Sequence, residues 1–333
     1  MKVLFIGGTG IISTAVSQLA VDKGIDLYLF NRGINEHFFP KGAKLIKGDI
    51  KNFDEMNSLL AKHQFDVVVD WIGFTPSDIE RDIKLFKGKT KQFVFISSAS
   101  VYQKPLEHYL ISESTPISNP FWEYARNKIA CEKVLEKEYS ESGLPYTIIR
   151  PSFTYGVTLI PAIVTNNKKP MTLIDRIKKG KKVIVPGDGT SLWVMTHNTD
   201  FAKGFVGLLG IEEAIGEVFH ITSDEVLTWD KIIKTIGEVI HVEPKIIHIP
   251  SDFIKHYAPI IGEGLLGDKS NSVVFDNFKI INLVPEFKCT VSYKEGITRS
   301  LNWLEKHEEY CGIDHENNTT IDKIISKYES AFE

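Results

Sequence analysis

The chain has 333 residues, 43% of them hydrophobic and 25% charged, with a net charge of -4 and an isoelectric point near 6.2, enough to bury one large core or two modest ones. That acidic balance argues against a general nucleic-acid binder, which presents a basic face. No run of about 18 apolar residues offers a membrane span, and Met1-Lys2-Val3-Leu4-Phe5-Ile6-Gly7 is too short for a signal peptide, so a cytoplasmic location is expected.

Short β-branched runs alternate with amphipathic stretches through the N-terminal half, the pattern of a parallel sheet with crossover helices. Strands are predicted at residues 3–6, 26–30, 43–46, 65–70, 92–96 and 146–150, and helices at 11–24, 54–63, 76–87 and 121–141, with Asp54 and Ser77 as N-caps or first-turn acceptors. Beyond Gly156 the alternation stops. A polar stretch at 165–170 leads to a helix, a strand at 183–185 and the turn Pro186-Gly187-Asp188-Gly189. Helices follow at 199–209, 229–240, 251–258, 294–306 and 319–331, with strands near 217–221 and 246–249. The expected class is α/β: a Rossmann-type doubly wound parallel sheet over residues 1–156, open to elements from later in the chain, then a smaller mixed substrate lobe at 157–308 and a helical extension at 309–333. Lys168-Lys169 and Lys178-Lys179-Gly180-Lys181-Lys182 form a local basic cluster that either meets phosphates or is a solvated helix end. Cys131, Cys289 and Cys311, an odd number without metal-ligand spacing, read as small core hydrophobes, and no metal site is expected.

Glycines at 7, 8 and 10, directly after the first strand, allow a tight turn and close approach of a pyrophosphate, with the amides from Ile11 and Ile12 onward aimed at that anion. Ser13 stands where a third glycine would give close helix-to-strand packing. The second strand ends Asn31-Arg32-Gly33 without the carboxylate that accepts from ribose hydroxyls. Arg32 either pairs with a 2′-phosphate, which favours NADP over NAD, or stacks on adenine. Asp49 and Ile50 follow the third strand, where Asp49 either meets the adenine edge or caps the next helix.

Ser97-Ser98 ends the fifth strand, and about 25 residues later comes the chain's single Tyr-x-x-x-Lys, Tyr124 with Lys128. Spaced i and i+4 on a helix, the two share a face. The ammonium would pull the phenol toward a pKa at which it exchanges a proton with a carbinol or ketone, and a serine hydroxyl would hold the substrate oxygen.

Taken in order, these motifs resemble the extended short-chain dehydrogenases/reductases grouped as NAD-dependent epimerase/dehydratase proteins, over residues 1–306. The resemblance makes Ser98 of Ser97-Ser98-Ala99-Ser100-Val101-Tyr102 the catalytic serine, Tyr124 the acid/base and Lys128 the holder of the nicotinamide ribose. Trp71 and Pro151 fall at positions that flank the cofactor. Arg150-Pro151-Ser152-Phe153-Thr154-Tyr155-Gly156 matches the sixth strand and its turn, Gly187-Asp188-Gly189 a substrate-lobe turn, and residues 293–303 the closing helix. Ala99 and Ser100 stand where dehydratases of nucleotide sugars carry Asp-Glu, which argues against a 4,6-dehydratase. Phe153 and Trp193 replace the usual asparagine and arginine, and with Trp71, Phe74 and Ser100 they suggest an aromatic pocket, or in part plain core contacts. The implied activity is reversible hydride transfer at a secondary alcohol or ketone of a sugar-like small molecule, with NAD or NADP, in a homodimer formed through the helices at 76–87 and 121–141. The alternative is a dinucleotide-sensing or RNA-binding protein on the same fold.

Overall fold

The computed structural model describes residues 1–164 and 169–332; the segment at 165–168, including Lys168, lies outside the described residues. Seven parallel strands form the central sheet: β1 (Lys2–Ile6), β2 (Asp26–Asn31), β3 (Lys44–Lys47), β4 (Val67–Asp70), β5 (Gln92–Ile96), β6 (Tyr146–Ile149) and β7 (Glu217–Phe219). Their spatial order is β7-β6-β5-β4-β1-β2-β3. Val3, Leu4, Phe5, Ile6, Val67, Val68 and Val69 are all buried because helices cover both faces, which is why these strands read as unbroken apolar runs. Chain order reverses beside β1, which pairs with β2 on one side and β4 on the other. That reversal opens a crevice at the carboxyl ends of the strands.

Four helices return the chain between early strands: α1 (Ser13–Asp22), α2 (Phe53–Leu60), α3 (Pro76–Phe86) and α4 (Glu123–Ser142). The six expected strands and four expected helices are present within three residues of their predicted ends. The caps differ. Asn52 caps α2 by accepting from the Glu55 amide, and Thr75 with Asp78 forms a capping box on α3, so Asp54 and Ser77 are first-turn residues rather than caps. In both places a polar residue two positions earlier has the extended backbone that a cap needs.

The second half of the chain does not stay apart. β7 adds to the sheet edge beside β6, and α5 (Asn198–Gly207) packs on α1. The second lobe holds Leu192–His197 between Phe153–Tyr155 and Val226–Thr228, and Lys182–Pro186 beside Lys245–Ile249. Its core centres on Trp193 stacked on Trp229, with ring centroids 5.0 Å apart. The C-terminal helix His315–Glu329 docks Ile321, Ile324 and Ile325 into this core. It also neutralises the basic run: Arg176 donates to Asp322 at 2.8 Å, Lys181 pairs with Asp322 at 2.7 Å, and Lys182 pairs with Glu329. Among the described residues, no helix is long and apolar enough to cross a membrane.

Candidate active site

A cleft of about 910 Å³ opens over the strand ends at the β1/β4 reversal. Its floor is the glycine loop. Gly7 and Gly8 have φ of +100° and +95°, and a Cβ on Gly8 would lie 2.6 Å from Leu29 Cδ2, so glycine is required there. The Gly10 amide donates to Ser13 Oγ at 2.9 Å, and Ser17 Oγ donates to the Gly8 carbonyl at 2.7 Å. Ser13 is buried, and in place of a third glycine its hydroxyl fastens the turn. Asn31 braces the same loop: its Nδ2 donates to the Gly7 carbonyl at 3.3 Å, and its Oδ1 accepts from the Gly33 amide at 2.8 Å. Ile11 and Ile12 line the wall beside the loop.

Arg32 is exposed at the cleft rim and, among the described residues, makes no ion pair. Asp49 lines the cleft beside Ile50, but one carboxylate oxygen accepts from the Lys51 amide at 3.0 Å. Trp71 packs edge-on against Phe5 at 5.6 Å, and among the described residues its buried indole N–H has no hydrogen-bond partner. A strained turn that only glycine fits, and an orphaned donor in the wall, suit a dinucleotide whose phosphates and amide need such donors.

α4 carries the reacting groups. Tyr124, Lys128 and Glu132 succeed one another at four-residue intervals along one face. Lys128 is buried, and its Nζ donates to the carbonyls of Gly73 and Ile96, each at 2.7 Å. Burial pulls its pKa down to about 8, opposed by the Asp70 charge. Phe74 and Phe95 cover the ammonium at 4.7 and 4.8 Å. An ammonium has three protons to donate, so one remains for a ligand. Lys128 lies 5.9 Å from the Tyr124 ring. The phenol is nevertheless not pulled down: burial raises its pKa, a hydrogen-bonding Ser98 hydroxyl opposes the rise, and Asp268 adds to it. The net direction is upward, against the lowering expected from Lys128, because burial is the leading influence.

Ser98 Oγ accepts from the Ser100 amide at 3.2 Å and from Ser100 Oγ at 3.0 Å. Its neighbour Ser97 donates to Glu132, which binds Arg150 through both oxygens, at 3.0 and 2.6 Å. The strand end that presents Ser98 is thereby fixed to the helix that presents Tyr124. A second buried charge group backs the cleft wall: Arg81 Nε donates to Asp82 at 2.8 Å, one Arg81 NH group donates to Asp78 at 3.1 Å, and Asp70 is within 3.9 Å. Burial and the neighbouring Asp70 push the Asp82 carboxyl well above its ordinary range.

The cleft brings together Gly7, Gly10, Ile11, Ile12, Asn31, Arg32, Asp49, Ile50, Trp71, Phe74, Ser98, Tyr124, Lys128, Pro151 and Phe153. It does not include Trp193 or Ser100. Trp193, expected in the pocket wall, is 1% exposed and belongs to the lobe core, where its apolar face is worth more than at a wet surface. Ser100 is buried behind Ser98. Sequence reasoning missed Glu132, although it continues the four-residue spacing of Tyr124 and Lys128. It also missed Asp70, a carboxylate closing the run Val67-Val68-Val69.

The model of the NAD dependent epimerase/dehydratase family matches residues 3–221. Among curated proteins, the chloroplast stem-loop binding protein of 41 kDa b of Arabidopsis thaliana is 29% identical over 267 residues, covering 73% of this chain and 66% of that protein. The UDP-glucose 4-epimerase of Lactobacillus helveticus is 27% identical over 209 residues, covering 57% and 62%. The match thus spans slightly under two thirds of the length of each. Among solved structures, the UDP-glucuronic acid 4-epimerase of Bacillus cereus, in complex with UDP-glucuronic acid and NAD, superposes with a TM-score of 0.72 at 20% identity, over 92% of this chain and 99% of that one. The family pattern runs through more than half of the sequence and folds into the sheet and cleft described above, so the chain belongs to the NAD dependent epimerase/dehydratase family, of the extended short-chain dehydrogenase/reductase type.

Proposed function

We propose that the protein is an NAD(P)-dependent enzyme that carries out reversible hydride transfer at a secondary alcohol or ketone carbon of a sugar or sugar-nucleotide-like substrate. The observation that carries this reading is the convergence of Ser98, Tyr124 and Lys128 on the cleft that also holds the glycine loop. A bound nicotinamide supplies the hydride acceptor and a positive charge near the phenol. The chain's own residues handle the proton. Tyr124 takes the hydroxyl proton of the alcohol as the carbon loses hydride, and returns it in the reverse direction. Ser98 hydrogen-bonds the same substrate oxygen and holds it in line with the phenol. Lys128, with its remaining N–H, anchors the nicotinamide ribose, and its charge stabilises the phenolate. Ala99 and Ser100 are both buried and outside the cleft, which supports transfer without the added acid and base of a dehydratase.

The exposed, unpaired Arg32 supports a 2′-phosphate partner and hence NADP, whereas the similar solved epimerase holds NAD. A homodimer through α3 and α4 would join helices whose outward positions include Glu80, Lys84, Arg126 and Lys133; light scattering showing only monomer at micromolar concentration would reject it. The test of the catalytic reading is Tyr124→Phe. Turnover of an identified substrate should fall by about 10²–10⁴-fold with dinucleotide binding retained, and undiminished turnover would disprove the assignment.

One second reading has support of its own, a stem-loop-binding protein, from the Arabidopsis relative. Against it, Lys179, Lys181 and Lys182 are paired with Asp175, Asp322 and Glu329, leaving that run little free charge for phosphates. Retention on an RNA column at near-physiological salt would favour it over the enzyme.

A further inference from the structure

We propose that Asp70 is the counter-ion that keeps the Lys128 ammonium able to hold the dinucleotide, and that Arg81 and Asp82 position it; this rests on the role given to Lys128 in the hydride-transfer reading above. Asp70 is the last residue of β4 and is fully buried. Its Oδ1 accepts from the Ile72 amide at 2.8 Å, the bond that starts the cleft-lining loop at 71–75. Its Oδ2 lies against Gly73, where an added Cβ would collide with that oxygen. The Gly73 carbonyl in turn accepts from Lys128 Nζ at 2.7 Å, so the carboxylate packs on the residue whose carbonyl holds the ammonium. The far end of the loop is fixed by Asp78, which accepts from the amides of Phe74 and Thr75 at 3.0 and 2.9 Å, and Phe74 covers the ammonium. Arg81 on α3 joins the two ends: it donates to Asp78 and to Asp82 and stands 3.9 Å from Asp70.

The charges here balance when one carboxyl carries a proton. Asp70, Asp78 and Asp82 surround Arg81, and Lys128 is the second cation. Among the described residues, Asp70 Oδ2 and Asp82 Oδ2 are buried carboxyl oxygens without a hydrogen-bond donor, and the two side chains meet. A single proton on Asp82, donated to Asp70, satisfies both oxygens. It leaves two carboxylates, Asp70 and Asp78, for two cations, Arg81 and Lys128. Removing the Asp70 charge would leave a buried cation unpaired. The other groups facing Lys128 supply no substitute. Cys131 is a thiol whose pKa burial pushes up to about 12, Tyr124 is a phenol that burial also pushes up, Glu132 is paired with Arg150, and Asp78 is paired with Arg81. The margin is narrow, because burial already brings Lys128 down to about 8, and the Asp70 charge is the strongest influence opposing that fall. An ammonium has three protons to donate and a neutral amine two. With two N–H groups committed to Gly73 and Ile96, the proton lost on neutralisation is the one left for the ribose.

The experiment titrates NAD into the protein by calorimetry from about pH 6 to about pH 10, for wild type, Asp70→Asn, Asp82→Asn and Lys128→Met. Wild-type affinity should fall as pH rises through about 8. In Asp70→Asn the midpoint of that fall should lie about one pH unit or more lower. The deficit against wild type should be largest near pH 8, about three- to fivefold, and small toward pH 6. Asp82→Asn, whose amide makes the donation to Asp70 that the proton makes, should keep the wild-type midpoint within about half a unit. A merely structural role for Asp70 would instead lower affinity by one factor at every pH. A constant offset, an unmoved midpoint, or a larger shift in Asp82→Asn than in Asp70→Asn would overturn the proposal. Carboxyl-carbon NMR of the wild type needs no variant to fold: near pH 6 the Asp70 carbon should show the ionised form and the Asp82 carbon the protonated one, and the reverse would overturn the assignment. Failure of the Asp70 effect while Lys128→Met still weakens NAD leaves the hydride-transfer reading standing. Wild-type affinity in Lys128→Met removes the ribose anchor from that reading, and this proposal with it.

Discussion

Replacing Lys128 with methionine separates what this lysine does for the site from what it costs the fold. In the folded protein its pKa falls from 10.5 to about 8, with burial as the leading cause, which corresponds to about 3 kcal/mol of destabilisation while the amine is charged. The penalty is fully present below pH 8, is relieved as pH rises, and is gone above the unfolded value of 10.5. Methionine removes it but strips the Gly73 and Ile96 carbonyls of their donor, at about 1–3 kcal/mol each. The two effects oppose each other, so Lys128→Met should change stability at pH 7 by no more than about 3 kcal/mol. Dinucleotide affinity should nevertheless fall about tenfold or more, because the remaining N–H of the ammonium is lost. Urea unfolding of both proteins from pH 7 to 10.5, followed by tryptophan fluorescence, gives the signature: wild type should gain up to about 3 kcal/mol on the variant as pH rises. A constant offset across that range would refute the reasoning, since it would mean that Lys128 titrates alike in the folded and unfolded chains.

Arg32→Ala should weaken NADP about 10–100-fold while leaving NAD within about twofold, as expected for one charge-assisted phosphate contact; equal effects on the two nucleotides in a fluorescence titration would show that Arg32 only stacks or is solvated. Asp82, whose carboxyl is pushed well above its ordinary range by burial and Asp70, contributes stability in its protonated form that is lost as pH climbs from the ordinary carboxylate range through its folded value. Asp82→Asn keeps the neutral shape and an acceptor for Arg81, so it should flatten that slope and exceed wild type by about 1 kcal/mol or more near pH 8, and a variant less stable than wild type at that pH would count against a raised Asp82 carboxyl.

Much of the site was legible because its signals are local. A glycine turn after an apolar run, or a tyrosine and lysine four apart on a helix, follows from backbone geometry within a few residues. Trp193 shows the limit. Its neighbours in sequence cannot reveal whether an indole faces a pocket or a core, since that depends on Trp229, 36 positions away, stacking on it. The Glu132–Arg150–Ser97 group and the Asp70–Asp82 pair are likewise assembled between separate elements, and nothing in the local pattern selects such partners from a surface rich in the same residues.

By itself, the sequence determined the alternation of strands and helices, the cofactor loop and the spacing of Tyr124 and Lys128, because propensity, periodicity and turn chemistry act at short range. Only the tertiary structure decided which charges lose water. Burial lowers Lys128 and raises Tyr124 and Asp82, and among the described residues it leaves the Lys104 ammonium without a hydrogen-bond acceptor, 4.0 Å from Asp268. It places β7 on the N-terminal sheet and turns the basic run at 178–182 into a dock for the C-terminal helix. Desolvation is a property of everything packed around a group, so it exists only once distant segments have met.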